Sequence, residues 1–351
     1  MSQFHELSVK DIQNITDHSV QVFLDIPDEL KATFKFKAGQ YITFKINLDG
    51  NDVRRDYSIC SSPASDTLSV AVKIVDGGVF STYANKELKK NDVLKVSPPK
   101  GRFTFEPDQA LSRRLVAYAA GSGITPILGI MKTLLAEEPK SDFLLVYGNK
   151  TPESAMFLKE ISELKQTYPG KFQAQLLYSQ ANEENAVFGR IDKSTVNLTL
   201  NEYSNLNSTD TFYLCGPQQM IQEVKSTLLE RGVSETNILF ELFTAPSGES
   251  SVNPVIVDGQ SEVTVMVDDE ETSFLMPKTK NILDMALSQN IDAPYSCQGG
   301  ICSSCLARIK KGKAIMTQNN VLTDSEVAEG LILTCQAHPT TPSIYVDYDD
   351  V

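Results

Sequence analysis

Four cysteines have the types and spacing to do chemistry together: Cys297, Cys302 and Cys305 in the stretch Cys297-Gln298-Gly299-Gly300-Ile301-Cys302-Ser303-Ser304-Cys305, and Cys335 after 29 intervening residues. Four thiolates in the order C-x4-C-x2-C…C are the ligand set of a [2Fe–2S] cluster. The short spacings wrap one loop around three sulfurs. Gly299 and Gly300 suit that loop, because residues without a Cβ let backbone N–H groups approach anionic sulfide. The alternatives are zinc, which usually takes paired C-x2-4-C or C/H knuckles where only one such pair exists here, and disulfides, which fit poorly with a large chain that opens on no secretory signal.

A cluster takes one electron at a time, so a donor must be sought elsewhere. Arg55-Asp56-Tyr57-Ser58-Ile59 places an arginine fork for phosphate, an aromatic ring for stacking and a hydroxyl within four residues, which suits a flavin nucleotide. Gly77-Gly78-Val79-Phe80-Ser81-Thr82 reads as a turn opening a short helix, whose free N–H groups and dipole favour an anion. Gly121-Ser122-Gly123-Ile124-Thr125-Pro126 follows the apolar run Leu115–Ala120 and precedes a helical pattern, a place where a tight turn can cradle pyrophosphate. Pro126 stands where the full dinucleotide fingerprint has a third glycine.

The elements that must hold these residues differ along the chain. Residues 1–108 read as short strands (Ser19–Ile26, Gln40–Asn47, Leu68–Val75, Val93–Val96) separated by Gly, Asp, Asn and Pro, which predicts a small antiparallel barrel. Residues 109–245 alternate strands (Phe143–Tyr147, Phe172–Tyr178, Thr211–Leu214) with helices (Ile127–Ala136, Glu153–Tyr168, Gln218–Arg231), which predicts a parallel α/β sheet covered on both faces. Residues 246–258 are rich in Ser, Pro and Gly and read as a flexible tether. Residues 259–351 give a hairpin around Asp268-Asp269-Glu270, an amphipathic helix Asn281–Gln289, the cysteine loop, and strands Leu306–Lys310 and Leu331–Cys335.

Composition fits a globular chain of two or three domains: 351 residues, 41% hydrophobic, 22% charged. No apolar run approaches a membrane span, and Met1–Glu6 lacks a basic or apolar leader, so the expected location is the cytoplasm. A formal charge of −13 argues against a nucleic-acid partner. From Gly259 onward 13 acidic residues face 6 basic ones, a net −7 that is either a solvated acidic surface or a face that steers docking to a basic partner. His5, His18 and His338 are the only histidines, none at metal-ligand spacing. Cys60 and Cys215 have a bland reading as small buried hydrophobes.

Taken together, R-x-Y-S at Arg55–Ser58, G-x-x-S at Gly78–Ser81, Gly39-Gln40-Tyr41, Pro99-Lys100-Gly101-Arg102-Phe103, G-S-G-I-T-P at Gly121–Pro126, Cys215-Gly216-Pro217 and Glu241-Leu242-Phe243 resemble the ferredoxin–NADP reductase superfamily. Hairpin, helix and cysteine loop in the last third resemble a plant-type β-grasp ferredoxin. The resemblance covers nearly the whole chain. It implies FAD bound by Arg55, Tyr57, Ser58 and Ile59, with Lys73 nearby, its phosphates on Gly78, Val79, Phe80 and Ser81, and the Phe243 ring beside it. It implies a nicotinamide nucleotide on Gly121, Ser122, Gly123, Ile124, Pro126, Gly216 and Pro217, with Cys215 beside the nicotinamide and Thr125 near the flavin as the two catalytic candidates. Ser179 and Arg190, with Lys150 near, could hold a 2′-phosphate, which favours NADPH over NADH. Tyr147-Gly148-Asn149-Lys150 carries lysine where the family pattern has arginine.

A nicotinamide delivers two electrons as a hydride and a cluster accepts one, and a flavin can part the pair. The expectation is therefore an oxidoreductase passing electrons from NADPH through FAD and [2Fe–2S] to the oxygenase component of a multicomponent monooxygenase, docked transiently. The competing readings are the reductase of a ring-hydroxylating dioxygenase, more often with FMN and NADH, and a non-catalytic redox sensor or cluster carrier. Nothing in the sequence fixes the oligomeric state.

Overall fold

The computed structural model describes residues 4–48, 50–65, 67–202, 210–243 and 259–351. The expected tether, 246–258, lies outside the described residues. The described chain forms two compact units, one drawn from most of residues 5–241 and one from most of residues 242–351.

The first unit begins with β1 (His5–Thr16), β2 (Ser19–Asp25), β3 (Tyr41–Leu48), β4 (Asn51–Ser58), β5 (Leu68–Lys73), the short helix α1 (Val79–Lys86) and β6 (Val93–Val96). The strands pair in the order β4-β3-β6-β1-β2-β5. An antiparallel bridge between Ile59 and Val70, with Cys60 N–H donating to Ser69 O at 2.9 Å, joins the two outer strands and closes the sheet into a barrel. Leu7, Val22, Ile42, Phe44, Val70, Phe80 and Val96 fill its interior. The predicted turns 39–41 and 99–103 meet through a bridge between Tyr41 and Lys100.

There follow β7 (Arg114–Ala120), α2 (Ile124–Glu137), β8 (Asp142–Asn149), α3 (Leu158–Thr167), β9 (Phe172–Tyr178), β10 (Val187–Phe188), α4 (Lys193–Glu202), β11 (Thr211–Cys215), α5 (Gln218–Glu230) and β12 (Ile238–Glu241). All pairings are parallel, in the order β10-β9-β8-β7-β11-β12. The chain starts at β7, moves outward to β10, then returns to the other side of β7 for β11. The reversal leaves the carboxyl ends of β7 and β11 side by side, the place where open α/β sheets bind ligands. Barrel residues Phe103, Phe105, Ala38 and Cys60 share one apolar core with Ile127, Met131, Leu134 and Tyr213 of the α/β layer.

The helix expected from Glu153 to Tyr168 divides. A single 3-10 turn covers Pro152–Ser154, Phe157 sits at φ +62°, and α3 starts at Leu158. The reciprocal Thr151/Ser154 cap opens the turn, which stops at Ala155, and Ala155, Met156 and Phe157 go into the core together, which a continuous amphipathic helix could not arrange.

The second unit contains β13 (Gln260–Val267), β14 (Glu270–Pro277), α6 (Ile282–Ser288), β15 (Leu306–Lys311), β16 (Ala314–Met316), α7 (Asp324–Ala328), β17 (Leu331–Leu333), β18 (Ala337–Pro339) and β19 (Ser343–Asp347). Five strands order as β14-β13-β19-β15-β17, and β16 pairs with β18. The hairpin β13–β14 turns on Asp268 and Asp269 at φ +57° and +62°, the left-handed pair that a tight hairpin requires. Asn281 caps α6 by accepting the Asp284 N–H at 2.8 Å. No helix among the described residues is long and apolar enough to cross a membrane.

Candidate functional site

At the switch point β7 ends on Ala120 and the chain makes a 3-10 turn over Gly121-Ser122-Gly123 into α2. Gly121 has φ +56°, and a Cβ there would point into open space, the room a pyrophosphate needs. Gly123 is required for another reason: a Cβ would stand 2.1 Å from the Cys215 carbonyl oxygen. Thr125, 2% exposed, donates its hydroxyl to Ser122 O at 3.0 Å and so closes the turn from inside the helix. Ile124 and Pro126 are buried in the first turn of α2, where proline's missing N–H costs nothing.

Cys215 lies at the carboxyl end of β11, in register with Ala119 on β7 and Glu241 on β12. It is fully buried, and burial together with the neighbouring Glu241 charge pushes its thiol well above the usual range. Cys215 therefore acts as a neutral, compact group. Gly216 passes close to Ala120, and Pro217 caps α5. The Ser58 hydroxyl, 4% exposed at the end of β4, donates to Glu241 Oε2 at 3.1 Å. Ser58, Glu241 and Cys215 thus meet at one edge of the sheet. Sequence alone gives this carboxylate no role, because Glu241-Leu242-Phe243 draws attention by its aromatic ring.

On the barrel, the Tyr57 ring packs against Phe80 and Phe44 with centroids 5.3 and 5.9 Å apart and stays half-buried. Phe80 itself is 1% exposed and stacked on Phe44, so only its backbone is available to a ligand. Ile59 is likewise fully buried. Arg55 is exposed on β4, its guanidinium donating to the Arg54 carbonyl at 2.7 Å. Gly78 is the N-cap of α1; the Ser81 hydroxyl donates to Gly78 O at 3.2 Å and accepts the Val75 N–H at 3.2 Å. Ser81 thus shapes the turn, while Val79 is exposed. Phe243, beyond β12, has an exposed ring.

Lys73 ends β5 and donates to Ser154 O at 3.3 Å; burial, then the charge of Lys150, hold its ammonium below the usual lysine range. Tyr147 is a second residue whose part the sequence does not announce. Its hydroxyl donates to Gly121 O at 3.1 Å and accepts the Met156 N–H at 3.1 Å, tying the glycine turn to the segment after Pro152. Ser179 and Lys150 sit at the ends of the paired strands β9 and β8, with Ser179 N–H donating to Asn149 O at 3.0 Å. Arg190, exposed, follows β10, whose Phe188 pairs with Tyr178.

In the second unit none of the four cysteines forms a disulfide. They fall into two close pairs: Cys302 Sγ is 3.1 Å from Cys297 Sγ, and Cys305 is within hydrogen-bond reach of Cys335. The Cys302 thiol, together with N–H groups of Gly299, Ile301 and Cys302, holds Cys297 below the usual thiol range against burial, while the same bond and burial push Cys302 well up, and Cys305 beside Cys335 is pushed up likewise. Cys335 is lowered by Cys305 in the same way, again against burial. Paired thiols with backbone N–H groups aimed at sulfur fit a thiolate-bound cluster.

Three families match in chain order: an oxidoreductase FAD-binding domain over residues 6–105, an oxidoreductase NAD-binding domain over 118–226, and a 2Fe-2S iron-sulfur cluster binding domain over 265–340. The chain is 37% identical to one component of the 1,2-phenylacetyl-CoA epoxidase of Escherichia coli (strain K12), across 99% of both proteins. It is 28% identical to the ferredoxin reductase component of 3-ketosteroid-9-alpha-monooxygenase from Rhodococcus rhodochrous, covering 97% of this chain and 96% of that one. Phthalate dioxygenase reductase, at 23% identity and 98% coverage of each chain, shares the fold with a TM-score of 0.62. Flavin barrel, nucleotide sheet and cysteine loop thus occur in one chain with relatives matched end to end, and the chain belongs to the ferredoxin–NADP reductase superfamily, in the group that carries a C-terminal plant-type ferredoxin domain: it is an electron-transfer reductase with FAD, a pyridine nucleotide and a [2Fe–2S] cluster as cofactors.

Proposed function

We propose that this reductase draws its electrons from NADPH and delivers them to the oxygenase component of a phenylacetyl-CoA epoxidase. The full-length 37% identity to a component of that enzyme carries the reading. A second reading is service to another multicomponent hydroxylase, which the 28% identity to the 3-ketosteroid-9-alpha-monooxygenase component supports, or to a ring-hydroxylating dioxygenase with NADH. We divide the chain into a flavin domain 1–108, a nucleotide domain 109–245, a linker 246–258 and a ferredoxin domain 259–351.

The bound cofactors supply hydride acceptance, one-electron release and onward transfer. The chain's own residues bind and align. Tyr57 offers its ring face to the flavin, Arg55 and the Gly78–Ser81 turn take its phosphates, and Phe243 covers it. Gly121 and Ser122 take the nucleotide pyrophosphate at the positive end of α2. Ser179, Lys150 and Arg190 take the 2′-phosphate. Cys215 stays protonated and would present a neutral, compact group beside the nicotinamide. Ser58 ties the barrel to Glu241 and hence to the strand that carries Cys215. Cys297, Cys302, Cys305 and Cys335 hold the cluster, and the −7 charge of residues 259–351 steers its domain to a basic face of the oxygenase. The direct test is turnover of phenylacetyl-CoA by the purified oxygenase component with this reductase and NADPH. Product formation is expected; none, beside full activity with the relative's own reductase, refutes the assignment.

A further inference from the structure

Gln336 follows the fourth cysteine and connects it to the loop of the other three. Its side-chain oxygen accepts the Thr317 hydroxyl at 2.7 Å, and Thr317 N–H donates to the Gln336 carbonyl at 3.0 Å. With Oε1 used in this way, Nε2 is the donor on the other side. It donates to Gln298 O at 3.0 Å and lies 3.8 Å from Cys335 Sγ, within reach of an N–H···S bond. The Gln298 contact has a local purpose. Gln298 sits at φ +51°, a region costly for a residue with a Cβ, and something must hold it there. The packing is equally tight: a Cβ on Gly300 would stand 3.0 Å from Gln336 Cγ and 2.9 Å from Gln318 O, so the loop seats directly on the glutamine.

We propose that Gln336 is a positioning residue of the cluster, whose amide pins the three-cysteine loop to the fourth ligand and raises the reduction potential through its N–H to the Cys335 sulfur. One-electron reduction adds a negative charge that spreads over the ligating sulfurs, and an N–H donor there stabilises the reduced state more than the oxidised one. The Gln298 carbonyl, which can only accept, fixes which end of the amide faces the sulfur, and Thr317 anchors the other end. The proposal rests on the four cysteines being the ligands.

The test is a mediated redox titration of the full chain with dithionite, following the reduced cluster by EPR and the flavin by its visible band. Gln336→Met keeps the volume and removes the donor. It is expected to lower the reduced-to-oxidised ratio of the cluster about tenfold at a given potential, a 59 mV downward shift for a one-electron couple. Thr317→Val removes the anchor of the amide's oxygen end, loosens the N–H from the sulfur and should shift the potential in the same direction by less, while the flavin potential stays in place for both. A cluster potential unchanged in Gln336→Met overturns the proposal. Should that variant fail to hold a cluster, Thr317→Val decides, and no shift there overturns it. An unaltered chain without a reduced-cluster signal would sink the ligand assignment itself, and the proposal with it.

Discussion

Replacing Ser58 by alanine removes one hydroxyl and tests how the flavin and nucleotide halves are aligned. Ser58 is 4% exposed and its bond to Glu241 Oε2 measures 3.1 Å, so water cannot easily substitute for it. A hydrogen bond to a charged group is worth about 1.5–3 kcal/mol. The barrel strand carrying Ser58 and the sheet strand carrying Glu241 belong to the two halves that must present flavin and nicotinamide to each other. Cys215 is fixed to Glu241 by register, so slack at Ser58 reaches the proposed nicotinamide side directly. If the bond serves alignment in the transition state, its loss slows hydride delivery about 10- to 150-fold at roughly 1.4 kcal/mol per decade. A displacement of about 1 Å alone can cost about 100-fold. The assay is anaerobic stopped-flow bleaching of the flavin at saturating nucleotide, with Glu241→Gln and the double variant completing a cycle. The two single changes should be strongly non-additive, since each breaks the same bond. Flavin reduction within twofold of the unaltered rate in Ser58→Ala, with FAD still bound, would refute the reasoning.

Three further outcomes follow from the same geometry. Gly123→Ala forces a Cβ to within 2.1 Å of Cys215 O, so the turn or the strand end must move; nucleotide concentration dependence of flavin reduction should show a raised KM, and an unchanged KM contradicts the proposed cradle. Arg113→Ala removes the guanidinium 2.6 Å from the Glu138 carboxylate, 0% exposed, leaving it only the Ser141 hydroxyl and the Asp108 N–H, and should destabilise the first unit by about 1.5–3 kcal/mol in thermal melts. Burial pushes Glu138 up, yet Arg113 and Ser141 outweigh it and hold the group below its usual 4.5. That contribution is therefore complete above pH 4.5 and fades as pH falls through the lowered value, so the variant and the unaltered protein should converge in acid. Cys335→Ser should abolish the reduced-cluster EPR signal; a full signal would remove Cys335 from the ligand set.

Much of this arrangement can be read from sequence because its signals are local. The cysteine spacing specifies a ligand loop by itself, and Leu115–Ala120 running into Gly121-Ser122-Gly123 announces a buried strand feeding a turn. The strand β1 announces nothing: over its 12 residues only Leu7 and Val9 are buried, and its hydrogen bonds to β2 and β6 hold it in place. The start of α3 is hidden for a similar reason, since Ala155, Met156 and Phe157 look helical until the core that takes them is known. Glu241, Tyr147 and Gln336 escape assignment because their roles come from partners 183, 26 and 38 residues away. Conversely, Phe80 fits a ligand motif by spacing, whereas its side chain serves the barrel core.

The central claim is a continuous electron path within one chain, and anaerobic titration of the purified protein with NADPH and then NADH, followed in the visible spectrum, tests it most directly. The account predicts that the flavin and cluster bands both bleach, and faster with NADPH. Flavin bleaching with the cluster band intact would contradict the path, and bleaching equally fast with NADH would contradict the assignment of Ser179, Lys150 and Arg190 to a 2′-phosphate.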